Sequence, residues 1–290
     1  VPGPGADPVP SAALRRALAP LLVDPARSAV VCDFDGTLSP IVADPSRARV
    51  LDGMDGVLGR LASRFGVVAV VSGRPVSFLS DRLAAAGDLP TGGSDRPSVT
   101  RAGIQLVGLY GLEWSRPGGT IATEPGADSW RPVVLEVAAR LRSGAPPGVV
   151  IEPKGLAVTT HWRRAPEAAA WALSETAAEE ERSGLRAHPG RLSIELRPPI
   201  EIDKGTTVGR LVEGCSAACY LGDDLGDLPA FATLTRLASE DGLATVSVAV
   251  VDQESAPEVA EAADAAVAGP GEALILLGWL ADAASGITAR

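Results

Sequence analysis

Continuous apolar runs recur along this chain, each ending in a cluster of small and polar residues. The runs at 29–32, 66–71, 104–109, 217–221 and 246–251 are predominantly apolar, interrupted only by Gln105 and Ser247, and those at 66–71 and 246–251 are rich in valine. Continuous rather than alternating runs of that length suit parallel strands covered on both faces. Helical spacing fills the intervals. It predicts helices over 11–23, with Ser11 as N-cap and Leu14, Leu18, Leu21 and Leu22 on one side, then over 54–65, 77–86, 204–213, 258–266 and 272–283. Pro40, Asp44 and Pro45 mark a loop, 89–97 another, and Pro117–Gly118–Gly119 a hairpin turn. Strands alternating with helices predict an α/β fold with a doubly wound parallel sheet, whose ligands bind at the carboxyl ends of the strands.

From about residue 128 the pattern changes. A helix over 130–141 precedes strands at 149–151 and 156–161, separated by Pro153–Lys154–Gly155. A helix over 166–182 then leads into a strand pair within 185–196, turning at Pro189–Gly190. This αββαββ order predicts a small open-faced sheet of its own, over 128–199, inserted into a larger unit made of 11–127 and 200–290. Residues 1–10, rich in Pro and Gly, read as a disordered leader.

Composition narrows the function. The chain has 290 residues, is 46% hydrophobic and carries a formal net charge of −10. Such acidity argues against nucleic acid or a membrane surface as partner. Three cysteines (Cys32, Cys215, Cys219) form no disulfide framework, and a C-x3-C metal site at the last two is the weaker reading. With only His161 and His188 there is little material for a histidine zinc site or a Ser-His-Asp triad. No apolar run reaches membrane-span length and the start lacks a signal-peptide pattern, so the expected setting is cytoplasmic.

The chemistry gathers at strand ends. Asp33 and Asp35 follow the first run two residues apart, so they leave the chain on one face and can meet at one small site. Adjacent carboxylates repel unless a cation lies between them, and a hard divalent ion such as Mg²⁺ takes oxygen ligands. Asp is also a competent nucleophile toward phosphorus. Ser72-Gly73-Arg74 ends the second run before a helix, where hydroxyl and backbone N–H can bind a phosphate oxygen. Lys204 opens another helix, and Gly222-Asp223-Asp224-Leu225-Gly226-Asp227 is a second acidic strand end. Taken singly, each also reads as a capped turn. Glu152, Lys154, His161, Trp162, Arg163, Arg164, Glu195 and Arg197 crowd the strand ends of the insert, where a solvated sheet face is the plainer reading of any one of them.

The order Asp33-x-Asp35-Gly36-Thr37, Ser72, Lys204, Gly222-Asp223-Asp224-x-x-Asp227 resembles the four motifs of the haloacid dehalogenase superfamily of phosphoryl-transfer enzymes. Within it, the closer resemblance is to the trehalose-6-phosphate phosphatase family. Gly108-x-x-Gly111-x-Glu113, Glu152-x-Lys154…His161-Trp162-Arg163 and Glu195-x-Arg197-Pro198 add to the motifs. The resemblance implies a Rossmann-like core with the insert as an α+β cap, and Mg²⁺-dependent hydrolysis of a sugar phosphate through an aspartyl-phosphate. It implies catalytic roles for Asp33, Asp35, Ser72 and Lys204, and a metal held by Asp33, Asp35, Asp223 and Asp227. Phosphate would meet Thr37, Ser72, Gly73, Arg74 and Lys204. The sugar would meet Glu113, Glu152, Lys154, His161, Arg163, Glu195 and Arg197. Tyr110 stands where that family usually has His, and Trp162 where it usually has Tyr. The expected partner is a small-molecule sugar phosphate, acted on by a monomer. The alternatives are another sugar or pseudodisaccharide phosphate as substrate, or a non-catalytic regulatory or receiver-like protein.

Overall fold

The computed structural model describes residues 9–42, 44–83, 103–116, 119–190, 192–253 and 255–286. The strands are β1 (Ser28–Cys32), β2 (Val67–Val71), β3 (Gln105–Gly108), β4 (Glu113–Ser115), β5 (Ile121–Thr123), β6 (Val150–Pro153), β7 (Val158–His161), β8 (Arg186–Gly190), β9 (Ser193–Arg197), β10 (Ala217–Gly222), β11 (Ala244–Val251) and β12 (Ala265–Ala268). The helices are α1 (Ala12–Leu18), α2 (Met54–Ala62), α3 (Val76–Leu83), α4 (Arg131–Gly144), α5 (Ala169–Ser183), α6 (Lys204–Leu211), α7 (Leu228–Asp241), α8 (Pro257–Ala262) and α9 (Gly269–Ser285).

One sheet has the order β12-β11-β10-β1-β2-β3-β4-β5, parallel from β12 to β3 and antiparallel in the β3-β4-β5 meander. From β1 the chain steps outward through β2 and β3, then returns on the opposite flank of β1 as β10. That reversal opens the crevice in which doubly wound sheets bind ligands. Alternation along each strand divides the core in two. Val30, Cys32, Val68, Val70, Cys219 and Leu221 face a layer holding Leu58 and Leu61 of α2 and Leu276 and Leu277 of α9. Ala29, Val31, Ala69, Val71, Ala218 and Tyr220 face Val208 and Leu211 of α6 and Phe231 and Leu234 of α7. Burial on both faces is why these strands read as continuous apolar runs.

The second sheet, β6-β7-β9-β8, is antiparallel throughout. Ile151, Val158 and Leu196 pack on Val134, Val137, Ala138 and Leu141 of α4, while Ile194 meets Ala172 of α5. The other face is polar. The expected α/β core with an inserted α+β layer is the fold observed.

The departures have local causes. The first helix keeps its Ser11 cap, whose hydroxyl accepts the Leu14 N–H at 3.2 Å, but Pro20 ends it and 19–22 tightens into a 3-10 turn. The predicted turn at Pro189–Gly190 is wrong by two residues, since both belong to β8. That strand is a sheet edge, where the missing proline N–H breaks no ladder. The helix predicted over 258–266 stops at Ala262, and Ala265 and Ala266 enter β12. There Asp264 accepts the Ser247 N–H at 2.8 Å and brings the alanines into register with β11. The helix α7 follows the second acidic loop without a separate prediction. Residues 1–8 of the expected leader, the loop at 89–97, positions 84–86 of the third predicted helix, and Pro117–Gly118 of the hairpin turn lie outside the described residues.

Candidate active site

The central strand delivers its carboxylate by simple continuation. The Asp33 N–H still donates to the Leu221 carbonyl at 2.8 Å, one residue past the end of β1, and the residue is 4% exposed. The chain then turns through Gly36 at φ +81°, where a Cβ would fall 1.9 Å from Asp223 Oδ2. Only glycine lets the first acidic loop close on the second.

Lys204 joins the two loops. A capping box between Asp203 and Thr206 starts α6 at this lysine. Its ammonium donates to Asp33 Oδ1 at 2.7 Å and to Asp227 Oδ1 at 2.6 Å. Asp227 Oδ1 also accepts the Tyr220 hydroxyl at 2.5 Å. Its Oδ2 takes the N–H groups of Asp223 and Asp224 at 2.9 and 3.1 Å. Four donors fill the lone-pair sites of this carboxylate. Asp223 is the opposite case, for its Oδ1 is buried with no hydrogen-bond partner.

The charges here do not balance. Asp33, Asp223 and Asp227 each place an oxygen within 4.8 Å of the others, and one ammonium faces them. Burial raises the Asp33 carboxyl to about 8 in spite of Lys204, and burial together with Asp33 and Asp227 pushes Asp223 well above the carboxylate range. Excess buried negative charge beside a bare carboxylate oxygen is what a hard divalent cation would relieve. The donor set, all oxygen, fits Mg²⁺, with Asp33 and Asp223 as the open ligands.

The second motif follows β2. The Ser72 hydroxyl accepts the Arg74 N–H at 3.1 Å, and Ser72 itself is 1% exposed. A Cβ on Gly73 would fall 2.5 Å from the Tyr110 hydroxyl, so glycine lets that ring lie against the loop. Thr37 is fully buried and its hydroxyl has no partner. Arg74, expected at the phosphate, has its guanidinium on carboxylates. Nε donates to Asp35 Oδ2 at 2.7 Å, Nη2 to Asp35 Oδ1 at 2.9 Å, and Nη1 to Glu152 Oε1 of β6 at 3.4 Å.

Glu152 belongs to the polar face of the smaller sheet. Register aligns Glu152, Thr159, Glu195 and His188 in one row across its four strands. Glu195 accepts from Lys154 at 2.8 Å, Thr159 at 2.8 Å and Arg197 at 2.6 Å. Burial opposes its ionisation, but Lys154 and Arg197 prevail and draw it down to about 2. His161 Nε2 lies 2.8 Å from Glu152 Oε2. The Arg197 guanidinium stacks 3.4 Å above the ring of Tyr110, which belongs to the larger sheet's side of the site. Tyr110 and Leu109 both hold positive φ, +63° and +50°, a strain that residues with side chains rarely carry. Burial lifts the Tyr110 phenol to about 12, with Glu195 adding to it.

Arg163 lies apart from this row. It lines a cavity of about 400 Å³ together with Gly36, Ile41, Asp223 and Asp252. Glu113 is not brought to the polar face. Its carboxylate accepts the Val76 N–H at 2.9 Å at the start of α3, with Arg131 3.7 Å away. The sequence pattern alone does not single out Tyr220 or Thr159. Nothing marks Tyr220 beforehand, whereas two-residue alternation along β7 puts Thr159 on the same face as His161.

Residues 31–268 match the family described as Trehalose-phosphatase. The trehalose-phosphate phosphatase of Mycolicibacterium paratuberculosis is 38% identical over 216 residues, 70% of this chain and 50% of that protein. That of Mycobacterium marinum is 34% identical over 215 residues, 71% of this chain and 51% of that protein. The chain thus spans about half the length of the curated relatives it matches. Among solved structures, the C-terminal domain of C. albicans trehalose-6-phosphate phosphatase superposes with a TM-score of 0.73 at 23% identity, covering 95% of this chain and 99% of that one.

Proposed function

Because the chain belongs to the trehalose-phosphatase family, we propose that it hydrolyses trehalose 6-phosphate to trehalose and phosphate, in trehalose biosynthesis. Residues 11–127 and 200–290 form the phosphatase core in this reading, and 128–199 the cap that closes over the sugar. Asp33 attacks phosphorus, forming a bond from its carboxylate oxygen as the bond to the sugar O6 breaks. Asp35 gives its proton to the departing oxygen. It then takes one from the water that attacks phosphorus and frees Asp33. Lys204, Ser72, Gly73 and Thr37 hold the transferring oxygens, which is most of what phosphoryl transfer asks of a protein.

Mg²⁺ would be held by Asp33, Asp223 and the Asp35 main chain, and when bound it offsets the phosphoryl charge. Asp227, saturated by four donors, aims Lys204 and the Asp223 loop. Glu152, Lys154 and Glu195 receive the sugar hydroxyls, with His161 and Arg197 bracing them and Arg163 at the mouth. Every residue in this scheme comes from one chain, so a monomer suffices. Three unpaired cysteines suit a reducing cytoplasm. Among the described residues no helix is long and apolar enough to cross a membrane.

The observation that carries the reading is the buried Asp33, 2.7 Å from Lys204 and within 4.8 Å of the ligand oxygen of Asp223, at the strand ends that the polar cap face meets. Phosphate release with Mg²⁺ tests it across trehalose 6-phosphate, glucose 6-phosphate, sucrose 6-phosphate and an aryl phosphate. Strong preference for trehalose 6-phosphate is expected. Turnover of the aryl ester alone would overturn the substrate and leave the chemistry. No release from any of them would point to a regulatory protein.

A further inference from the structure

Arg74 follows the phosphate-binding serine by two residues, yet three of its five N–H donors are committed to carboxylates. Its Nε and Nη2 grip both oxygens of Asp35, its Nη1 reaches Glu152, and the group stacks 4.7 Å from the Phe78 ring. It is 8% exposed. A side-on bidentate pair fixes the plane of a carboxylate as well as its position. We propose that Arg74 is a positioning residue, which orients Asp35 for both proton transfers and is itself held in place by Glu152 of the cap. The proposal rests on the phosphatase reading above. It adds that the sugar-binding face and the acid/base are one connected unit, running Glu152–Arg74–Asp35.

The two proton transfers make this separable from a phosphate contact. Departure of an alkoxide such as the sugar O6 needs the proton of Asp35, while departure of 4-nitrophenolate scarcely does. Attack of water on the Asp33 phosphoryl group needs Asp35 whatever the substrate was. An Arg74→Lys variant keeps the charge and loses the planar fork. We expect its kcat/KM for trehalose 6-phosphate to fall roughly 100-fold, and for 4-nitrophenyl phosphate at most about 3-fold. Its kcat on the aryl ester should drop as water attack becomes limiting, so rapid mixing shows a burst of 4-nitrophenolate of about one per enzyme.

Glu152→Gln, assayed on the aryl ester where there is no sugar contact to lose, should show a smaller slowing of turnover in the same sense. Arg74→Gln serves as a second variant, and thermal unfolding of each confirms that the fold is kept. Equal losses in kcat/KM on the two substrates, with no burst, would overturn the proposal, because a phosphate ligand or a purely structural arginine acts on both esters alike. Unchanged aryl turnover in Glu152→Gln would remove the cap from the chain of contacts. If the wild-type protein does not turn over trehalose 6-phosphate at all, it is the phosphatase reading that fails.

Discussion

Two aspartates four residues apart, Asp223 and Asp227, show how environment divides identical side chains. Asp227 is fully buried yet satisfied by an ammonium, a phenol and two backbone N–H groups. Asp223 is half-buried, with its buried Oδ1 bare and its carboxyl pushed up by burial and by Asp33 and Asp227. Removing its charge should therefore help the metal-free protein and ruin the active one. Asp223→Asn is expected to raise Tm in the presence of a chelator, to abolish the rise in Tm that added Mg²⁺ gives the wild type, and to abolish turnover. A lower Tm in chelator would mean that Asp223 does not carry unrelieved charge. Asp33→Asn, by contrast, should leave the fold in place and remove turnover, since it deletes the attacking oxygen while keeping an acceptor for Lys204; substantial residual activity would sink the nucleophile assignment. These residues were legible in the sequence because strand-end Asp, Ser and Lys occupy fixed places relative to runs and helices. The contacts of Arg74 were not legible, since they join positions 39 and 78 residues away in sequence.

At the scale of elements, α6 shows how a local signal places a functional group. The Asp203 carboxylate accepts the Thr206 N–H at 2.7 Å and the Thr206 hydroxyl accepts the Asp203 N–H at 3.0 Å, so the helix begins at Lys204 and its first side chain points into the crevice. Asp203→Ala should cost about 1 kcal/mol in chemical denaturation, the usual worth of an N-cap. Activity should fall less than it does for substitution of Lys204, whose ammonium remains anchored by Asp33 and Asp227. The elements read correctly were those whose pattern admits one period: β1, β2 and β10 from continuous apolar runs and α6 from helical spacing, while for α1 only the start, at its Ser11 cap, was right. The errors fell where the period was silent. The stretch 265–268 is alanine and valine, compatible with helix or strand, and pairing with β11 decided it. Pro189–Gly190 carries the composition of a turn, and only its place on a sheet edge allows it to be strand.

On the scale of the whole molecule, the two sheets meet through cations as well as through the apolar cluster of Leu109, Leu112, Ala127, Leu156 and Ala157. Arg74 reaches from the core to Glu152, and Arg197 reaches from the cap sheet to the ring of Tyr110. Both cap-side partners depend on one row of carboxylates, in which Glu195 fixes Lys154 and Arg197 together. Because Glu195 is drawn down to about 2 from an ordinary 4.5, its charge stabilises the folded state by roughly 3 kcal/mol above pH 4.5. The sign follows from the direction of the change. The unfolded chain takes up the proton first as pH falls, so this contribution is whole above 4.5 and drains away between 4.5 and about 2. Asp33 and Asp223, whose carboxyls lie above their ordinary range, act in the opposite sense and gain on acidification, so the total stability curve mixes both. The difference between wild type and Glu195→Gln isolates the cap term. That difference in unfolding free energy should be level from pH 7 to 5 and shrink below about 4.5; a difference that stayed level down to pH 3 would show that Glu195 is not held ionised by Lys154 and Arg197.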